Sequence, residues 1–167
     1  TRMTPNKEYT VKPFSDEHVN PAAGIEAAVF SEPWSARALD DIFVHSDTVS
    51  ALACETEDGF LAAYGGIECV LDEANIVNIA TSPAYRRRGC ATAVMSGLLL
   101  IASEKGCRRV TLEVREHNEA AQALYRSFGF EAVGVRKRFY SLPTEDALVM
   151  EKILDQTSIE RSRTERH

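Results

Sequence analysis

Two segments of this chain hold residues whose types and spacing suit chemistry. The first is the cationic glycine turn Arg86-Arg87-Arg88-Gly89-Cys90-Ala91-Thr92, which follows a β-rich run, Asn78 to Thr81, and a Ser82-Pro83 break. An apolar helical stretch, Thr92 to Ala102, begins directly after it. A strand that delivers a flexible turn to a helix N-terminus presents the unsatisfied N–H groups of the first helical turn and the positive end of the helix dipole, so an anion is the natural guest. Gly89 allows close backbone approach, and successive turn amides can form an anion-binding concavity that suits a pyrophosphate. The same residues also fit a solvated turn that simply starts a helix. No Gly-Lys-Ser/Thr closes the turn and no Gly-x-Gly-x-x-Gly opens it, so it is neither a P-loop nor a Rossmann fingerprint.

The second segment runs from Val110 to Phe130. Apolar and polar residues alternate at its start, which puts Val110, Leu112 and Val114 on one strand face and Thr111, Glu113 and Arg115 on the other. A glutamate in so apolar a strand must reach solvent, a partner or a cleft. Asn118 then reads as a helix N-cap. Tyr125 shares a helix face with Ala121 and Phe128, an arrangement that usually means core, with the hydroxyl at a wet edge.

The elements that must position these groups follow from periodicity and punctuation. Strands are predicted over Tyr9–Pro13, Val49–Glu55, Phe60–Val70, Ala74–Thr81, Arg109–Arg115, Phe130–Tyr140 and Ala147–Leu154. Helices are predicted over His18–Phe30, with Val19, Ala22, Ala23, Ala27 and Phe30 apolar, then from a Ser35 cap to about Phe43, over Thr92–Lys105, and over Asn118–Phe128. Gly106 and Gly129 stop the last two helices, Glu57-Asp58-Gly59 signals a hairpin, and Gly65-Gly66 suggests a bulge or a close approach. The order predicts an α/β fold, a mixed sheet with helices on both faces. One domain is expected over residues 1–154, and the polar tail 155–167 is expected to be disordered.

Composition narrows the class. A chain of 167 residues with 44% hydrophobic and 26% charged residues is ordinary for a globular protein. A net charge of −6 argues against direct nucleic-acid binding and mildly favours a cationic substrate. Cys54, Cys69, Cys90 and Cys107 show no Cys-x-x-Cys or zinc spacing, so buried thiols in a reducing cytoplasm are expected and no metal. Residues 1–12 are polar and charged, without a leader pattern, and no stretch is apolar for long enough to cross a bilayer.

Several motifs together carry a resemblance. Arg86-x-x-Gly89-x-Ala91 resembles the acyl-CoA signature of the GNAT acetyltransferases, and Asn118-x-x-Ala121-x-x-Leu124-Tyr125-x-x-x-Gly129-Phe130 resembles their second signature. Phe30-x-x-Pro33-Trp34-Ser35, Val70-Leu71-Asp72-Glu73-Ala74, Leu112-Glu113-Val114-Arg115-x-x-Asn118 and Glu145-Asp146-Ala147-x-x-Met150 look like the RimI-type branch, whose members acetylate the N-terminal alanine of a small-subunit ribosomal protein. The likeness spans about Val29 to Ile153 with the motifs in order. It implies a GNAT fold with a mostly antiparallel central sheet. One departure stands out. The branch's basic-x-x-aromatic-aromatic run usually ends in two tyrosines, but here Phe139 precedes Tyr140, so a hydroxyl that could hold the peptide is missing.

The resemblance also assigns roles. Glu113 would be the general base, directly or through a water, and Tyr125 the acid that protonates the departing thiolate. The backbone of Ile79, Ala80 and Thr81 would pair with the pantetheine arm of acetyl-CoA like an added strand, and an amide there could hold the thioester oxygen. Arg87, Arg88, Gly89, Cys90, Ala91 and Thr92 would cradle the pyrophosphate, and Asn118 would hydrogen-bond the cofactor. Pro33, Trp34 and Tyr140 would flank the acceptor, the N-terminal peptide of a ribosomal protein. The enzyme is expected to be a monomer with no membrane partner. His117 is a rival base, whereas Cys90 has no base placed beside it in sequence. Other protein N-termini or a small-molecule amine are alternative acceptors, and an acyl-CoA-binding module without catalysis is a further alternative.

Overall fold

The computed structural model describes residues 9–86 and 88–154. Arg87 of the expected pyrophosphate cradle and the whole of the tail lie outside the described residues. In chain order the elements are β1 (Tyr9–Pro13), α1 (Val19–Val29), α2 (Ala36–Leu39), β2 (Val49–Thr56), β3 (Leu61–Val70), β4 (Glu73–Thr81), α3 (Cys90–Glu104), β5 (Arg109–Arg115), α4 (Glu119–Ser127), β6 (Glu131–Tyr140) and β7 (Glu145–Ile153). Every predicted strand and helix is present. Among the described residues seven strands pair in the order β1-β2-β3-β4-β5-β7-β6. β4 and β5 run parallel, with Glu73 opposite Arg109 and Asn75 opposite Thr111. The β1–β2, β5–β7 and β6–β7 pairs are antiparallel, so the sheet is mixed as expected.

The chain divides into two compact units. Among the described residues the first runs from Tyr9 to Ile67 and resumes over Asn78–Leu98, and the second comprises Glu68–Val77 and Leu99–Leu154. The core of the first is built from Leu39, Phe43, Ala62, Tyr64, Ile67, Val94, Met95 and Leu98. That of the second is built from Ala102, Val110, Leu112, Phe130, Ala147 and Met150. Burying such side chains stabilises each unit by about 25 cal/mol per Å² of apolar surface removed from water.

Some boundaries differ from the sequence expectation for identifiable reasons. α3 starts at Cys90, two residues before the predicted Thr92, because Gly89 adopts φ +80° and its carbonyl already accepts from Ala93 N–H at 3.0 Å. The second helix does not continue as α to Phe43. It widens into a π turn over Asp40–Val44, where His45 N–H donates to Asp40 O at 3.1 Å. Phe43, on that turn, packs 5.3 Å from the Phe14 ring, 5.5 Å from Trp34 and 6.2 Å from Tyr64. Gly66 explains itself there: a Cβ at this position would sit 2.5 Å from the Phe43 ring, so the Gly-Gly pair marks a close approach.

The buried stripe of α1 is also rotated from the predicted one. Val19, Ala22, Ile25 and Glu26 are buried, while Ala27 and Phe30 are exposed. A carboxylate takes a core position that periodicity alone assigns to an apolar residue. The four cysteines form no disulfide among the described residues; Cys54, Cys90 and Cys107 are buried and Cys69 is half-buried.

Candidate active site

In the second unit β5 keeps the predicted alternation, with Val110, Leu112 and Val114 buried and Thr111, Glu113 and Arg115 half-buried. Glu113 therefore leaves the core, and its Oε1 lies 3.6 Å from Nε of Arg136 on β6. From β4, Asn75 Nδ2 donates to the Thr111 carbonyl at 3.2 Å and to its hydroxyl at 3.0 Å, which ties the neighbouring strand to this face.

After β5, Asn118 caps α4 as expected, accepting from Ala121 N–H at 3.1 Å. The helix turns Tyr125 inward, where its ring meets Phe130 edge-on at 6.1 Å. Burial, with a smaller contribution from the Tyr140 phenol, pushes the Tyr125 hydroxyl up to about 12. It therefore holds its proton throughout the neutral range, as a general acid must.

Arg115 organises the β6–β7 connection. It donates to the carbonyls of Ser141 and Pro143 at 3.1 and 3.2 Å and to Glu145 at 3.0 Å. Its guanidinium also lies 4.4 Å from the Tyr140 ring centroid. The connection is irregular: the β6–β7 register shifts between Arg136 and Tyr140, and Arg138 takes φ +52°. Asp146 answers that bend by accepting from the Arg138 amide at 2.8 Å and from Lys137 at 3.2 Å. Phe139 is half-exposed and packs edge-on against Tyr140 at 5.0 Å.

Glu145 accepts from both the amide and Nδ1 of His117, at 2.8 and 3.0 Å. The amide bond is the largest of several effects that hold the Glu145 carboxyl below its usual range; Arg115 and the imidazole add to it and partial burial opposes it. His117, the rival base, is thus engaged in bracing this connection.

The first unit holds the other expected cofactor residues and the expected acceptor residues Pro33 and Trp34, whereas Asn118 and Tyr140 belong to the second. Ile79 N–H donates to its neighbour Asn78 Oδ1 at 3.0 Å, so that amide has a defined direction. Ala80 is buried and Thr81 half-buried. Gly89 is exposed in the left-handed region, and a Cβ there would meet nothing within 4 Å, which leaves open space against the turn. The Arg88 guanidinium covers the Tyr85 ring at 5.7 Å. Ala91 is half-buried and Thr92 exposed, whereas the Cys90 side chain is buried, with Sγ 3.9 Å from the Tyr85 carbonyl. Burial raises the Cys90 thiol above its ordinary value, so it is no nucleophile at neutral pH.

The loop expected to flank the acceptor is braced on both sides. Ser35 caps α2 by accepting from Ala38 N–H at 3.1 Å. Trp34 packs on Phe43, and its amide donates to Glu26 Oε1 at 2.9 Å. Pro33 is exposed beside it. A concavity of about 320 Å³ in the same unit, lined by Pro21, Ile25, Phe60, Leu61, Pro83 and Tyr85 among others, includes none of the expected site residues. Among the described residues Glu17, His18 and Glu55 place possible metal-ligand atoms within 4.8 Å of one another, but Lys12 Nζ sits 2.8 Å from Glu55 and answers that charge.

Residues 19–130, more than half the chain, match the Acetyltransferase (GNAT) family. The chain belongs to the GNAT acetyltransferase family. Among its GNAT relatives is a Bacillus subtilis (strain 168) protein provisionally named a ribosomal protein bS18-alanine N-acetyltransferase, 37% identical over 134 residues, or 80% of this chain and 88% of the relative. The crystal structure of the ribosomal-protein-S18-alanine N-acetyltransferase from Escherichia coli superposes with a TM-score of 0.80 at 30% identity, covering 88% of this chain and 94% of that one. Arabidopsis thaliana NAA60 in complex with acetyl-CoA shares the fold at a TM-score of 0.79 and 19% identity, covering 87% of this chain and 98% of that one.

The sequence reading named Trp34 and Tyr140 but missed Glu26, which accepts from the Trp34 amide, and Arg115, which stacks on the Tyr140 ring and donates to Glu145. A signal for Glu26 was available. It lies four residues after Ala22 and seven after Val19, so it falls on the buried stripe of α1, and a carboxylate there needs partners.

Proposed function

We propose that this GNAT enzyme transfers an acetyl group from acetyl-CoA to the N-terminal α-amine of a protein, with the N-terminal alanine of ribosomal protein bS18 as acceptor. The observation that carries the chemistry is the composition of the second unit: a half-buried Glu113 on β5 and a buried Tyr125 whose phenol titrates only near pH 12. A positioned carboxylate and a phenol that keeps its proton are suited to serve as base and acid in aminolysis of a thioester. The acceptor assignment is supported by the named activities of the Bacillus and Escherichia relatives.

The amine must attack as the neutral species. An α-amine has a pKa of about 8 and a lysine about 10.4, so an N-terminus is already partly neutral at physiological pH and a modest base suffices. Glu113 takes the proton that the nitrogen must lose. The C–N bond forms as the C–S bond breaks, the sulfur leaves with the electron pair, and Tyr125 gives it a proton. Amide and free thiol result, and a net proton exchange with water restores both side chains.

The cofactor is acetyl-CoA. Gly89 supports this assignment, since its left-handed turn leaves open the space that a side chain would fill. Arg87 to Thr92 hold the pyrophosphate, the backbone of Ile79 to Thr81 pairs with the pantetheine arm, and Asn118 adds a polar contact. Pro33, Trp34 and Tyr140 flank the acceptor. Because Phe139 lacks a hydroxyl, Tyr140 alone supplies the phenolic contact at that wall.

A substrate panel tests the reading. Thiol release from acetyl-CoA is measured with a peptide carrying the bS18 N-terminus, with other N-terminal peptides and with small amines. Fastest release with the bS18 peptide is expected, and a small amine outperforming every peptide would overturn it.

A further inference from the structure

Glu26 is 1% exposed, yet three donors from separate parts of the chain converge on its side chain. Trp34 N–H reaches Oε1 at 2.9 Å, Asn78 Nδ2 reaches Oε2 at 2.8 Å, and the Tyr64 hydroxyl donates to the same oxygen. Burial, reinforced by the Glu26 carboxylate, pushes the Tyr64 phenol far above its ordinary value, so it stays a donor. Both oxygens of Glu26 accept, and each of its three partners is a donor. An apolar side chain would stabilise such a position at lower desolvation cost, so the carboxylate is explained by what it orients.

Two of the three partners lead straight to expected substrate contacts. Trp34 belongs to the acceptor loop. Asn78 turns its other amide atom, Oδ1, to the Ile79 N–H, the first amide of the segment assigned to the pantetheine arm. The hydrogen bonds therefore run from the acceptor loop through Glu26 and Asn78 to the cofactor strand, all within the first unit.

We propose that Glu26 is a positioning residue that sets the acceptor loop and the cofactor-pairing strand from one buried carboxylate. The proposal rests on the acetyl-transfer reading. It makes the two arms separable, because Trp34 serves one substrate and Asn78 the other. Glu26→Gln keeps the volume but turns an NH₂ group toward one of the donors, and a lost hydrogen bond to a charged group corresponds to roughly a tenfold change in affinity.

The experiment measures KM for the alanine peptide and calorimetric Kd for acetyl-CoA in wild type and three variants. Glu26→Gln should raise about tenfold the value of the arm that meets its NH₂ group, the peptide KM if that group replaces Oε1 and the acetyl-CoA Kd if it replaces Oε2. Asn78→Ala should raise the acetyl-CoA value alone. In Glu26→Gln with Asn78→Asp the new amide can donate to the new carboxylate while its oxygen accepts from Trp34 N–H, which should bring both values back toward wild type. That rescue would not arise from a merely structural role. Both values for Glu26→Gln within twofold of wild type, or an unchanged acetyl-CoA Kd in Asn78→Ala, would overturn the proposal. Should Glu26→Gln not fold, Asn78→Ala decides the cofactor arm by itself. Wild-type protein that binds acetyl-CoA but acetylates no peptide would refute the functional reading instead, while the acetyl-CoA affinities would still decide the role of Glu26.

Discussion

The Arg115 guanidinium lies 4.4 Å from the centroid of the Tyr140 ring while its nitrogens reach the carbonyls of Ser141 and Pro143. One side chain thus shapes the connection and stacks on the ring expected to flank the acceptor. Lysine keeps the charge but cannot stack flat or bridge several acceptors. A cation–π contact contributes about 0.5–1 kcal/mol at exposed sites, so Arg115→Lys should raise the peptide KM roughly twofold to fivefold, with kcat at saturating peptide close to wild type. Steady-state kinetics checks this, and an unchanged KM would remove Arg115 from the acceptor wall.

Glu113→Gln and Tyr125→Phe should separate the base from the acid. Each should lose about 10²–10⁴-fold in turnover while still binding acetyl-CoA. The glutamate variant should recover partly as pH rises, because more amine is already neutral. The tyrosine variant should not recover, since its missing proton is needed by the thiolate. Wild-type Tyr125 is protonated below its value of about 12 and loses its proton only as pH rises through it, so it should add no falling limb to the pH profile between about 6 and 10. Near-normal neutral turnover by Glu113→Gln would place the base elsewhere.

Gly89→Asp should abolish tight acetyl-CoA binding. The turn has φ +80° and open space where the side chain would point, so the substitution puts strain and an anion where the pyrophosphate is expected. Calorimetry should show the loss with circular dichroism unchanged. Retained affinity would disprove the cradle.

Glu145 should make the fold acid-sensitive. Its carboxyl is held below the ordinary range, chiefly by the His117 amide, so the folded state favours the ionised form. That contribution is fully present above the unfolded value and is lost as pH falls through the folded one, a window that opens below about pH 4.5. Thermal melts from pH 7 to 3 should show a shallower acid decline for Glu145→Gln than for wild type. Parallel declines would contradict it.

Elements with strong periodicity or glycine punctuation were legible in the sequence, β5 and α4 most clearly. There the alternation around Glu113, the Asn118 cap and Gly129 at φ +93° all agree with the structure. What escaped are features set by long-range partners. Glu26 falls on the buried stripe of α1, but the partners that satisfy its carboxylate lie 8 to 52 positions away in the chain, and local spacing does not name them. The π turn at Asp40–Val44 likewise depends on where Phe14, Trp34 and Tyr64 leave room for Phe43. The β6–β7 connection is shaped by Arg115, which lies far upstream of it.

The central claim is transfer to an N-terminal α-amine. Two peptides of one sequence decide it, one with a free N-terminal alanine and the other with that amine blocked and a lysine retained. Each is incubated with enzyme and acetyl-CoA, and the acetylated position is read by mass spectrometry over time. The account predicts acetylation of the free alanine well ahead of the lysine. Faster modification of the blocked peptide would contradict it.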